Sequence, residues 1–298
     1  MRLLSIFLIL IFTVSPASHA QLSNEANEQN PIKVPTADFS DLKHTKSGRV
    51  DKVIDGLTIL LKDGTLVRLA SIDIPDFQIW RDAPHSEAAL EILEKTLSER
   101  TEVMIYQTPM AKKGRINRMK QELGHLVVKE GNIWIQGLLL SEGLARVYTM
   151  PDANQMARQM LDIEQEARAG KRGLWGEDSE YLVLTPETAS QSMGELAIVE
   201  GTVKKTATVK NNVYLNFGQN WKEDFTIMIT PDLRKKLAYQ GIDPLGLAQK
   251  TIRVRGWLRE YNGPLIELED TTHLEYLNPA QPLQNTEESP NLGASLTN

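Results

Sequence analysis

The sequence predicts a mainly β chain with helices (α+β), built as two five-stranded barrels in tandem, and three observations predict it. Apolar and polar residues alternate in short runs from Val53 onward, and Gly- or Asn-containing turn pairs separate those runs. The order three strands, helix, two strands occurs twice. At 298 residues, two domains are the natural division, and 41% apolar residues suffice for two ordinary cores.

The chain opens with Met1-Arg2, an apolar run from Leu3 to Val14, and small residues at Ser18-His19-Ala20. Residues 1–20 therefore read as a secretory signal peptide, and the run is too short to span a bilayer. The expected location is the bacterial periplasm or the medium. There is no cysteine, so no disulfide, thiolate metal site or lipid-modified cysteine is available to the exported chain. With a net charge of −6 it is not a generally basic, nucleic-acid-coating protein. Residues 21–46 are rich in Asn, Glu, Pro, Ser and Thr and read as a disordered linker.

The first barrel domain is expected over 47–178. Val53-Ile54, Ile59 to Leu61 and Leu66-Val67 read as three strands, turned at Asp55-Gly56 and Asp63-Gly64. His85 to Arg100 gathers Ala89, Leu93 and Leu97 on one helical face. Thr101 to Gln107 returns to strand character, and Leu123 to Ile135 reads as a hairpin turning at Glu130-Gly131. Helices are expected over Gln136 to Val147 and Asp152 to Arg172, the latter stopped by Gly173-Leu174-Trp175. Residues 179–195 read as a linker, 196–277 as the second barrel and 278–298 as a disordered tail. In the second barrel five strands carry the helix Pro231 to Gln240 between the third and fourth, which is OB-fold order.

The pattern I-D-G-x-T at Ile54 to Thr58, followed by a turn and R-L-x-x-x-D-x-P-D at Arg68 to Asp76, resembles the staphylococcal nuclease family. The helix L-L-x-x-G-L-A-R-V and the closing G-L-W are also similar to that family. The resemblance implies an OB-type barrel with a calcium ion beside two arginines, hydrolysing phosphodiesters of DNA or RNA. It implies that Arg68 is the first phosphate-binding arginine, Asp73 a metal carboxylate, and Asp76 the acid that orients the attacking water. Ile74 would ligate only through its carbonyl. Leu57 stands where the family has another metal carboxylate. Calcium needs six to eight oxygen ligands and a leucine supplies none, so this change weakens the site. An ungapped placement puts Gln121 at the second arginine and Asn117 at the family's aspartate. A rival placement uses Lys113-Gly114-Arg115 and needs an insertion before Leu123. Loss of a transition-state arginine costs several orders of magnitude in rate.

Lys112, Lys113, Arg115, Arg118 and Lys120 put five cations and no acid in nine residues. Such a cluster can bind a nucleic acid by counterion release, and it is equally what a solvated loop presents. Arg68 and Asp73 also read as an ion pair across the barrel rim. His125 reads as a core or hairpin histidine, and no zinc spacing occurs. In the second barrel Arg253, Arg255 and Arg259 share a strand face and with Lys222 can form a basic edge, while Phe217, Phe225 and Trp257 read as core. The expected function is a non-catalytic binding module without a cofactor, taking nucleic acid or an envelope protein. The alternative is an active calcium-dependent phosphodiesterase in which Asp55, Asp73 and Asp76 hold the metal and Arg115 replaces the second arginine.

Overall fold

A computed structural model describes residues 35–75, 84–110, 114–177, 179, 181, 183–220 and 222–277. Residues 1–34 and 278–298, and with them the expected signal peptide and tail, lie outside the described residues.

β1 (Lys43–Asp55), β2 (Thr58–Leu61) and β3 (Leu66–Leu69) form an antiparallel meander. The two Asp-Gly pairs turn it. Asp55 Oδ1 accepts from the Leu57 amide at 2.8 Å and Asp63 Oδ1 from the Thr65 amide at 3.0 Å, side-chain bonds that substitute for a backbone turn. After the short β4 (Ile72–Asp73) and α1 (Pro84–Thr96) come β5 (Glu102–Gln107), β6 (Glu122–Val128) and β7 (Ile133–Trp134). β3 pairs with β6 in parallel and β5 returns to β1, so the sheet closes as β1-β2-β3-β6-β5 and back to β1. Among the described residues each of these five strands is paired on both sides, so the barrel itself presents no edge strand.

Order begins earlier than the sequence suggests. β1 starts at Lys43, and Phe39, from the expected linker, stacks on Tyr106 at 4.6 Å between centroids and meets Trp134 edge-on at 5.7 Å. Two aromatic contacts outweigh the polar composition around them.

α2 (Ile135–Ser141) ends well before Val147. Gly143 has φ 68°, and a Cβ there would lie 2.1 Å from the Arg172 carbonyl oxygen, so the chain turns at a point only glycine tolerates. Arg146 and Val147 then leave the helix and form β8 (Arg146–Val147), paired with β4. α3 (Ala157–Ala169) follows, shorter than its expected span.

The second barrel repeats the order. β9 (Leu196–Thr202), β10 (Lys205–Val209), β11 (Asn212–Asn216), β12 (Thr226–Ile229), α4 (Pro231–Tyr239), β13 (Thr251–Glu260) and β14 (Pro264–Glu267) follow in the chain. β10-β11-β12-β14-β13-β9 are neighbours, with β12 and β14 parallel. β9 and β10 act as one bent first strand. The first hairpin turns on Lys210 and Asn211, with φ 48° and 70°, and Thr230 caps α4 by accepting from the Leu233 amide. β15 (Leu274–Tyr276), absent from the sequence reading, adds to β13. The expected linker 179–195 also docks here: the Leu184 amide bonds the Ile198 carbonyl, and Ala189 is buried in the second core.

The barrels fall in one compact unit, and a buried ionic joint connects them. Glu164 of α3 and Arg255 of β13 are 0% and 1% exposed at the side chain, with contacts of 3.0 and 3.1 Å. Arg255 also donates to the Val147 carbonyl at 2.8 Å and to Glu275 at 2.6 Å. Burial opposes its charge, but Glu164 and Glu275 outweigh burial and hold the guanidinium pKa above its ordinary value. Tyr148 donates to Glu269 at 2.7 Å, and Asn154 to Asp270 at 3.0 Å, beside this joint.

Candidate metal and nucleic-acid site on the first barrel

The rim of the first barrel is set by the meander and by the parallel β3–β6 pairing. Arg68 on β3 lies between Thr58 of β2 and Leu123 of β6, and its guanidinium is 3.5 Å from the Thr58 hydroxyl. Gln121 lies just ahead of β6, two residues before Leu123, the register partner of Arg68.

Gln121 belongs to a tight hairpin. The Asn117 amide nitrogen donates to Gln121 Oε1 at 2.6 Å, and Asn117 Oδ1 accepts from the Met119 and Gln121 amides at 2.9 and 3.0 Å. The rival candidate Arg115 is otherwise engaged. Its guanidinium donates to the Thr108 carbonyl at 2.7 Å and to the Pro109 carbonyl at 3.2 Å, while Gln107 Nε2 binds the Arg115 and Leu123 carbonyls at 3.0 and 2.9 Å. Arg115 thus secures the base of the hairpin. Arg118 and Lys120 are exposed at its tip. Lys112, Lys113 and Asp76 lie outside the described residues.

Asp73, on β4, sits opposite Arg146 on β8, and Arg146 Nε donates to its Oδ2 at 3.0 Å. Arg146 is largely buried, so this pair is sheltered from water. Leu57 is 1% exposed and belongs to the apolar core with Ile59 and Leu61. Ile74 is equally buried. A Cβ at Gly56 would come within 3.1 Å of Ile74 Cδ1, which shows how closely that side chain fills the space under the first turn. Asp55 serves that turn through the Leu57 amide.

Calcium requires several convergent oxygens. Among the described residues no group of three or more Asp, Glu or His could hold a metal ion.

Sequence reasoning missed Arg146 and Glu164, because their partners lie 73 and 91 residues away. Leu57 reads in the sequence only as a metal-ligand position, whereas the alternation of Leu57, Ile59 and Leu61, one buried face in the structure, is the signal that marks it as core. The three arginines of the expected basic edge of the second barrel are matched by glutamates. Arg253 contacts Glu200 and Glu275, Arg255 contacts Glu164 and Glu275, and Arg259 contacts Glu267. Trp257, expected in the core, shares their face and is 37% exposed. His125 is buried with its Nδ1 unpartnered among the described residues, and burial pushes its pKa down to about 3.

A closed β1-β2-β3-β6-β5 barrel with helices packed on it, and an arginine on its third strand, is an OB-type barrel. The family model "Staphylococcal nuclease homologue" matches residues 66–177, and this part of the chain is a staphylococcal nuclease-like domain. The match begins at Leu66, so β1 and β2, with Asp55 and Leu57, lie ahead of it although they close the same barrel. No curated protein matches the chain.

Proposed function

We propose that this is an exported protein whose nuclease-like barrel binds a ligand, a nucleic acid or a protein partner of the cell envelope, without cleaving it. A nuclease-related role follows from the domain itself. The loss of cleavage is inferred from one observation: where calcium would need converging oxygens, Leu57 and Ile74 are buried apolar side chains and Asp73 is ion-paired to Arg146.

Phosphodiester cleavage needs charge stabilisation on the phosphoryl oxygens, supplied by a cation together with arginines. Gln121 at the second arginine position offers a neutral amide, already bonded to Asn117. Arg68 is retained on β3, and one guanidinium can contact a phosphate but cannot by itself do the work of a divalent cation. Export is supported by the signal-like residues 1–20.

The test is hydrolysis of single- and double-stranded DNA by the purified chain, with calcium and then with chelator, beside Arg68→Ala. The proposal expects no calcium-dependent cleavage. Cleavage that needs calcium and disappears in Arg68→Ala would instead establish a working phosphodiesterase.

A further inference from the structure

The hairpin between β5 and β6 carries a combination the nuclease-like reading does not use. Its tip exposes large apolar side chains: Ile116 is 64% exposed, Met119 75%, and Met110 at its base 46%. Arg118 and Lys120 are exposed among them, and neither takes part in an ion pair among the described residues. From Thr108 to Gln121 the sequence contains no acid and no aromatic residue.

The tip is held in shape. Asn117 ties the Met119 and Gln121 amides, Lys120 takes φ 62°, and the Arg115 and Gln107 side chains fix the base. The turn thus presents Ile116 and Met119 outward on a backbone already tied by hydrogen bonds, which reduces the ordering cost on binding.

We propose that this hairpin docks onto an anionic lipid bilayer, with Ile116 and Met119 entering the acyl boundary and Arg118 and Lys120 meeting phosphate-bearing headgroups. Cations with apolar side chains among them suit a bilayer surface, whose charge lies just outside its hydrocarbon. A nucleic acid satisfies the cations but not the methionine and isoleucine, and without aromatic rings the tip offers its bases no stacking platform. Charge complementarity and exposed apolar surface favour the same occupant. The proposal is independent of whether the rim above β3 cleaves phosphodiesters.

Co-sedimentation of the purified chain with phosphatidylglycerol vesicles, against phosphatidylcholine vesicles and a short single-stranded oligonucleotide, tests it. The chain is expected to bind the anionic vesicles and to be released by salt. Arg118→Gln with Lys120→Gln should weaken vesicle binding roughly 25-fold, at about fivefold per cation. Ile116→Ser with Met119→Ser should weaken it about tenfold or more and leave oligonucleotide binding unchanged. All four side chains are exposed, so both variants should melt as the parent does. No binding to anionic vesicles at low salt would overturn the proposal. So would full vesicle binding by the Ile116 and Met119 variant, or an equal loss of oligonucleotide binding in it, which would mark a plain polyanion surface.

Discussion

The two barrels close in the same strand order yet use their charges in opposite ways. In the first, the connection between the fourth and fifth strands runs from residue 108 to 121 and carries Arg118 and Lys120 into solvent. In the second, the matching connection is only residues 261–263, and the cations sit on β13 itself, where Arg253, Arg255 and Arg259 are matched by glutamates. Topology therefore does not decide where charge acts. Loop length and the neighbouring surface do: a strand face covered by another domain must pair its arginines, whereas a long connection can leave them free.

The sharpest way to break this comparison is at the joint. Arg255→Ala would strand Glu164 and Glu275 without their cation, and should destabilise the chain by about 3–5 kcal/mol in urea unfolding. A loss under about 1 kcal/mol would mean that the joint is peripheral. Next, Leu57→Asp restores the family's carboxylate but places it in the first core, so it should cost about 3 kcal/mol or more rather than create a metal site. Wild-type stability in that variant would show the position to be open to the rim.

Acid should act on both barrels through buried histidines. His125 titrates at its ordinary 6.5 when unfolded and at about 3 when folded. Between those values the unfolded chain binds the extra proton, so stability is full above pH 6.5 and falls by about 1.4 kcal/mol per unit below it. His273, lowered chiefly by burial, acts in the same direction. Equilibrium unfolding from pH 7 to 4 checks this, and His125→Phe should flatten the slope. The smallest effect is expected at the rim of the joint, where Arg259→Ala removes a half-exposed pair and should cost less than about 1 kcal/mol.

Much of the fold was legible because strands announce themselves by alternation and turns by Asp-Gly and Asn-Gly. Periodicity could not see that Gly143 stops α2, because a helical pattern of apolar residues continues through Val147 while the backbone cannot. Composition also misled at both connections, where Phe39 and Ala189 anchor otherwise polar stretches. At the candidate site the sequence offers positions by resemblance, but the pairing of their side chains was not legible. Asp73 meeting Arg146 depends on β4 and β8, two-residue strands too short to carry a pattern.

The central proposal is that the rim does not hold calcium. Calcium titration of the purified chain, followed by calorimetry and by the shift in unfolding free energy, tests it most directly. The account predicts no heat above dilution and no stabilisation by calcium. A saturable site that stabilises the chain, by about 2.7 kcal/mol at a hundredfold excess over Kd, would contradict it.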